Sequence, residues 1–166
     1  MSRRPSCGTC LRAQSACICR WITPVANQVE VLILQHPLEQ DQAKGSARLL
    51  HLSLARSRML TGEAFDAQAW LPTGNTRRNI LLYPDFPSDR AAGLPPPPAL
   101  APDVLQDPSL LRLIVLDGTW RKSRKMLYVN PSLQRLPRLS LQDLPVSNYR
   151  IRRAHRPEQL STLEAV

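Results

Sequence analysis

The stretch Leu113–Met126, LIVLDGTWRKSRKM, gathers side chains that can do chemistry. An apolar run stops at Asp117, Gly118 permits a sharp turn, and Thr119 and Trp120 supply a hydroxyl and an indole. Arg121, Lys122, Arg124 and Lys125 follow at once. An acid beside cations at this point suggests chemistry on a polyanion. Asp117 can accept a proton or orient a reacting group; an aspartate there also commonly caps the following helix. A helix N-terminus would keep that carboxylate ionised and weakly basic. Thr119 suits a cap or a substrate contact. Trp120 suits the core or a stacking platform for a base.

A second concentration is Cys7-x2-Cys10-x6-Cys17-x-Cys19, which holds all four cysteines. Four thiolates in a short, loop-rich segment fit tetrahedral zinc. They would fill its shell and leave no position for water or substrate, so the metal would be structural. A disulfide pair or free thiols are the alternatives. The N-terminus has charge but no apolar core of a signal sequence, and no segment is long enough to span a bilayer. A cytoplasmic location, which keeps thiols reduced, is therefore expected. Arg3, Arg4, Arg12 and Arg20 surround the cysteines and could touch phosphate.

These residues need elements to position them. Leu111–Leu116, Val29–Gln35 and Asn79–Tyr83 are short, nearly continuous apolar runs and read as buried strands. His36-Pro37 and Pro84 close two of them. Helical spacing predicts a helix over Gln40–Arg58, despite Gly45, and another from about Thr119 to Tyr128, halted by Asn130-Pro131. The proline-rich 84–108 stretch reads as a loop or extended crossover. Pro137–Leu144 is ambiguous, and Tyr149–Arg153 suits strand or loop. Ser161-Thr162-Leu163-Glu164 has a capping-box pattern, announcing a helix just before Val166. A helix cut after one turn cannot stabilise itself, so a truncated C-terminal region is expected. Strands separated by helices or long crossovers indicate an α/β fold with a mainly parallel sheet. The organisation expected is a zinc-binding head at 1–22 and an α/β domain at 23–166.

The 166 residues suffice for one domain with a real core. Hydrophobic content of 43% is ordinary, but a net charge of +9 is not. Cations cluster at 121–125, at Arg135 and Arg138, and at Arg150, Arg152, Arg153 and Arg156. Nucleic acid is the favoured partner, against the plainer reading of a solvated basic face.

Asp117-Gly118-Thr119-Trp120 resembles the namesake motif of the DTW-domain proteins, tRNA-uridine aminocarboxypropyltransferases. The resemblance runs along nearly the whole chain. Besides the cysteine head it includes Gln35-His36-Pro37-x-Glu39, Ala47-Arg48-Leu49, Leu81-Leu82-Tyr83-Pro84, Arg124-Lys125-Met126, Tyr149-Arg150-Ile151-Arg152 and Leu160-Ser161-Thr162-Leu163-Glu164-Ala165. Ala13 stands where the family usually has proline, Ser46 where it has threonine, and Ser123 where it has alanine. Family members also continue the helix that begins at Ser161.

The resemblance implies a SPOUT-like α/β fold whose C-terminal knot encloses S-adenosylmethionine. It implies transfer of the 3-amino-3-carboxypropyl group to N3 of a tRNA uridine, usually in the variable loop in bacteria, with release of methylthioadenosine. Asp117 then becomes the catalytic candidate. Tyr83, Pro84, Thr119, Trp120, Ser161, Thr162 and Glu164 become the donor-binding set, the last three also having a full explanation as a cap. Arg48 would clamp a donor carboxylate or a phosphate. Arg121, Arg124, Lys125, Arg150, Arg152 and Arg153 would bind tRNA. Two other functions remain open: SPOUT-type RNA methyl transfer, and a zinc-containing RNA-binding module without catalysis. SPOUT-like relatives often form homodimers, but no residue here fixes an interface.

Overall fold

The computed structural model describes residues 5–71, 74, 76–142 and 160–166. In chain order these form β1 (Glu30–Gln35), α1 (Ala47–Ser53), β2 (Ser57–Thr61), α2 (Ala67–Trp70), β3 (Arg78–Leu82), α3 (Pro87–Ala91), β4 (Leu111–Asp117), α4 (Trp120–Val129), α5 (Pro131–Gln134), β5 (Arg138–Leu139) and α6 (Thr162–Ala165), with short 3₁₀ turns between them. The five strands make one sheet in the order β2-β1-β4-β3-β5, and every pairing is parallel. The expected α/β architecture is therefore what folds.

Side chains alternate across a strand, and both faces of this sheet are covered. On one face Leu32, Leu34, Leu81, Ile114 and Leu116 pack with Trp70, Met126, Leu127 and Leu133, which brings α4 and α5 down on the sheet. On the other, Val31, Ile33 and Val115 pack with Ala47 and Leu50 of α1, and Leu163 of α6 joins them. Each fully buried aliphatic side chain contributes about 1.5–3 kcal/mol relative to exposure. The pairing Gln35↔Asp117 sets the carboxyl ends of the two central strands side by side.

The single helix expected over Gln40–Arg58 is corrected: only Ala47–Ser53 is helical, and Ser57–Thr61 is a strand. Gly45 closes a turn, its N–H bonding to the Gln42 carbonyl, and a Cβ there would lie 3.2 Å from that oxygen. Beyond α1, the Asn27 amide donates to the Val29 and Arg56 carbonyls and its oxygen accepts from the Arg56 N–H. That clamp turns the chain back to run beside β1. As an edge strand β2 is half-buried, so its alternation is weak in sequence.

The 84–108 crossover also holds a helix. Pro87 starts α3, and Gly93, with φ of 85°, ends it. The Leu94 N–H reaches the Asp89 carbonyl and the Gly93 N–H that of Arg90, a Schellman closure. The ambiguous stretch from Pro137 contributes the two-residue β5. Tyr149–Arg153 lies outside the described residues, as does 143–159 of the segment that a knot would involve. No helix of the described residues is long and apolar enough to cross a membrane.

Candidate functional site

Asp117 ends β4 and is 6% exposed. Its Oδ2 accepts from Gln35 Nε2 at 2.9 Å, and its Oδ1 accepts from Thr162 Oγ1 at 2.7 Å. The carboxylate thus ties α6 to the sheet. It does not cap α4, so that alternative is set aside. Thr119 is the cap, its Oγ1 accepting from the Lys122 N–H at 3.4 Å. Gly118 sits at a close approach: a Cβ would meet Lys122 Cβ at 3.2 Å, tighter than ordinary contact.

Beyond these strand ends opens a cleft of about 590 Å³. One wall is aromatic. Trp120 meets Tyr83 at 5.9 Å and Phe86 at 5.5 Å between ring centroids, both edge-on, and Trp120 remains 47% exposed. Pro84 completes that wall, and Leu160, Ser161, Thr162 and Ala165 form the other. Burial, then the nearby Asp89 charge, pushes the Tyr83 hydroxyl above its ordinary pKa. Five of the seven expected donor-binding residues line the cleft; Thr119 and Glu164 do not. The Ser161–Glu164 capping box is formed, with Ser161 N–H donating to Glu164 Oε2 at 2.9 Å and Glu164 N–H to Ser161 Oγ at 3.3 Å. The Leu163 N–H donates to Ser46 Oγ at 3.3 Å, which seats α6 on the start of α1.

The basic helix is less free than its sequence suggests. Lys122 pairs with buried Glu39 at 2.7 Å, Arg124 with buried Asp89 at 3.3 Å, and Lys125 with Glu63 at 3.0 Å. Arg121 is exposed and has no carboxylate partner among the described residues. Lys125 first, and then His36, whose Nε2 lies 2.9 Å from Glu63, holds the Glu63 carboxyl below its ordinary pKa. Of these cations Arg124 lines the cleft. Arg48 is placed elsewhere, donating to the Thr9 carbonyl at 2.6 Å beneath the cysteine head. Arg150, Arg152 and Arg153 lie outside the described residues.

In the head, the Sγ atoms of Cys7, Cys10, Cys17 and Cys19 all lie within 4.8 Å of one another. Cys7–Cys19 is 3.6 Å and Cys10–Cys17 is 3.7 Å. Sulfurs about 2.3 Å from a tetrahedral zinc stand about 3.8 Å apart, so the set fits a metal and none is a disulfide. Backbone N–H groups of Cys10 and then Thr9 pull the Cys7 thiol down to about 6, while Cys17 and Cys7 push Cys19 up to about 12. Four thiols this close resist ionising together, and a divalent cation removes that conflict. The head does not stand apart from the body, since the Arg12 guanidinium donates to the Ala43 and Gly45 carbonyls.

The profile of the DTW domain matches residues 4–166. The chain belongs to the DTW-domain family. Over 171 residues it is 30% identical to tRNA-uridine aminocarboxypropyltransferase 2 of Mus musculus, covering 98% of this chain and 54% of that protein. Identity is also 30% over 180 residues with the protein of the same name in Drosophila melanogaster, covering 98% and 64% respectively. With tRNA-uridine aminocarboxypropyltransferase A of Arabidopsis thaliana it is 27% over 134 residues, covering 75% and 51%. The chain thus spans about half to two-thirds of the length of these relatives. No solved structure matches it.

Within this DTW domain, several contributors carried no assigned role in the sequence reading. Gln35 orients Asp117, and Phe86 completes the aromatic wall. Arg138 and Asp89, each 2% exposed at the side chain, pair at 3.3 Å beside that wall, with the Arg138 guanidinium 5.5 Å from the Tyr83 ring. Asn130 donates to the Glu63 and Met126 carbonyls and accepts from the Phe65 N–H, fixing the loop that carries Glu63. A polar residue at the end of a strand or helix was the available signal in Gln35 and Asn130. Asp89 offered none, and Arg138, grouped in sequence with the cations of a nucleic-acid surface, is corrected to a buried partner of Asp89 that presents no charge to solvent.

Proposed function

We propose that this chain is the catalytic DTW domain of an S-adenosylmethionine-dependent tRNA-uridine aminocarboxypropyltransferase. It would transfer the 3-amino-3-carboxypropyl group to uridine N3, in the variable loop of a bacterial-type tRNA, and release methylthioadenosine. The observation that carries this reading is the cleft beyond Asp117, walled by Tyr83, Pro84 and Trp120 on one side and Ser161 and Thr162 on the other. The names of its relatives supply the reaction class.

S-adenosylmethionine supplies a carbon made electrophilic by the adjoining sulfonium, and N3 gains that carbon as it loses its proton. The chain's part is to orient and exclude water. The Tyr83–Trp120 corner, with Phe86, offers faces and edges to a purine. Asp117, with both oxygens already accepting from Gln35 and Thr162, is assigned the task of holding the Thr162 turn against the cleft. Arg121, Arg124 and Lys125 are assigned to tRNA phosphates, as are Arg150, Arg152 and Arg153. The four cysteines are assigned a structural zinc, and the reduced thiols a cytoplasmic setting.

The deciding experiment incubates the protein with tRNA and donor and follows both products by mass spectrometry. Methylthioadenosine together with an aminocarboxypropylated uridine supports the reading. S-adenosylhomocysteine would make the chain a methyltransferase. Salt-sensitive tRNA binding with neither product would make it a binding module.

A further inference from the structure

Three cations of α4 are each offset in part by a carboxylate, Glu39, Glu63 or Asp89. The opposite holds in the head. The first 29 residues contain four arginines and no aspartate or glutamate. No carboxylate of that segment can offset Arg12 or Arg20, and Arg48 adds a further cation against the Thr9 carbonyl.

The same segment exposes an aromatic ring. Trp21 is 61% exposed, whereas Trp70 is fully buried and Trp120 belongs to the cleft wall. The Arg20 guanidinium lies 4.8 Å from the Trp21 ring centroid. Trp21 and Cys19 of the four-cysteine cluster share one 3₁₀ turn, Cys19–Trp21, so a metal held by the cysteines would also fix the indole. An exposed indole beside arginines without acids matches the chemistry of unpaired nucleic acid: bases stack on aromatic faces and cations track the backbone. The position is suitable too. Arg12 docks the head on the Ala43 and Gly45 carbonyls, and the adjoining Ser46 holds Leu163 of α6, the helix that walls the cleft.

We propose that the metal-organised head is a tRNA-docking surface, with Trp21 the stacking platform for an unpaired base and Arg20 a phosphate contact. The proposal rests on the reading of tRNA as substrate. It adds a second contact region, separate from the residues assigned to the cleft.

The test measures tRNA affinity, donor affinity and zinc content for the wild type, Trp21→Ala, Trp21→Phe and Arg20→Gln. Trp21→Ala is expected to weaken tRNA binding about tenfold and Trp21→Phe by no more than about threefold, the order of one base stack. Zinc content and donor affinity should stay at wild-type values. Arg20→Gln should reduce the salt slope of tRNA binding by about one. Unchanged tRNA affinity in Trp21→Ala overturns the proposal and leaves the indole to a protein partner. Parallel loss of zinc or donor affinity also overturns it, as damage to the fold. A wild type that binds tRNA but transfers nothing sinks the transferase reading alone, because the affinity comparison still decides this one. A wild type that binds no tRNA sinks both.

Discussion

Asp117 carries the motif's only charge, and its two oxygens are both engaged before any substrate arrives. A carboxylate has about four acceptor sites, so further bonds are open to it, but its first duty is to hold Gln35 and Thr162. Asp117→Asn keeps an acceptor for Thr162, and Gln35 can turn its amide to face the new donor. We therefore expect Asn to retain activity within about tenfold, with an unchanged pH–rate profile. Asp117→Ala should lose about 100-fold or more, as α6 is released from the sheet. A large loss in Asn with a displaced pH profile would instead make Asp117 the base.

At the scale of elements, α4 is held by side chains that reach it from other loops. Asn130, 2% exposed, joins the helix's C-terminal end to the Glu63–Phe65 loop. Asn130→Ala leaves the Phe65 N–H and two carbonyls without partners, a cost of about 2–3 kcal/mol. Urea unfolding should show that loss, and Lys125 should lose its fixed carboxylate. The buried Asp89–Arg138 pair plays the matching part beneath the aromatic wall. Gly118 serves the same join at its other end, where a methyl group at the β4–α4 corner would stand only 3.2 Å from Lys122 Cβ.

Across the whole molecule, two conditions of the medium should act through identified groups. Glu63 has its pKa lowered by Lys125 and His36, so its contribution to stability is present above its ordinary value of 4.5 and is lost as pH falls through the lowered folded value. Melting temperatures of wild type and Glu63→Gln should differ near neutrality and converge in acid; a constant difference would exclude Glu63 as the source. Chelation should release the metal and expose the head to limited proteolysis, because the segment has little apolar packing besides buried Cys10. The 30–139 sheet should keep its circular dichroism. If chelation unfolds sheet and head together, the two form a single cooperative unit through Arg12 and Arg48.

The strands β1, β3 and β4, the start of α4 and the Ser161 capping box were legible along the chain because each is a local pattern: apolar runs, a turn glycine, a hydroxyl three residues before a glutamate. The cysteine set was legible for the same reason. The resemblance carried the family and the broad site. Edge strand β2 and helix α3 were not legible, since one is half-buried and the other is set by a positive-φ glycine and a distant ion pair. Sequence by itself determined the parallel-sheet frame, the family and the cysteine cluster, and it raised the expectation of a site at Asp117 with an anionic partner. Only the tertiary structure decided which charges are paired, because carboxylates from three separate segments converge on α4, while among the described residues neither Arg12 nor Arg20 meets a carboxylate. Ion pairing depends on distance in space, and residues 35 to 83 positions apart in sequence meet there.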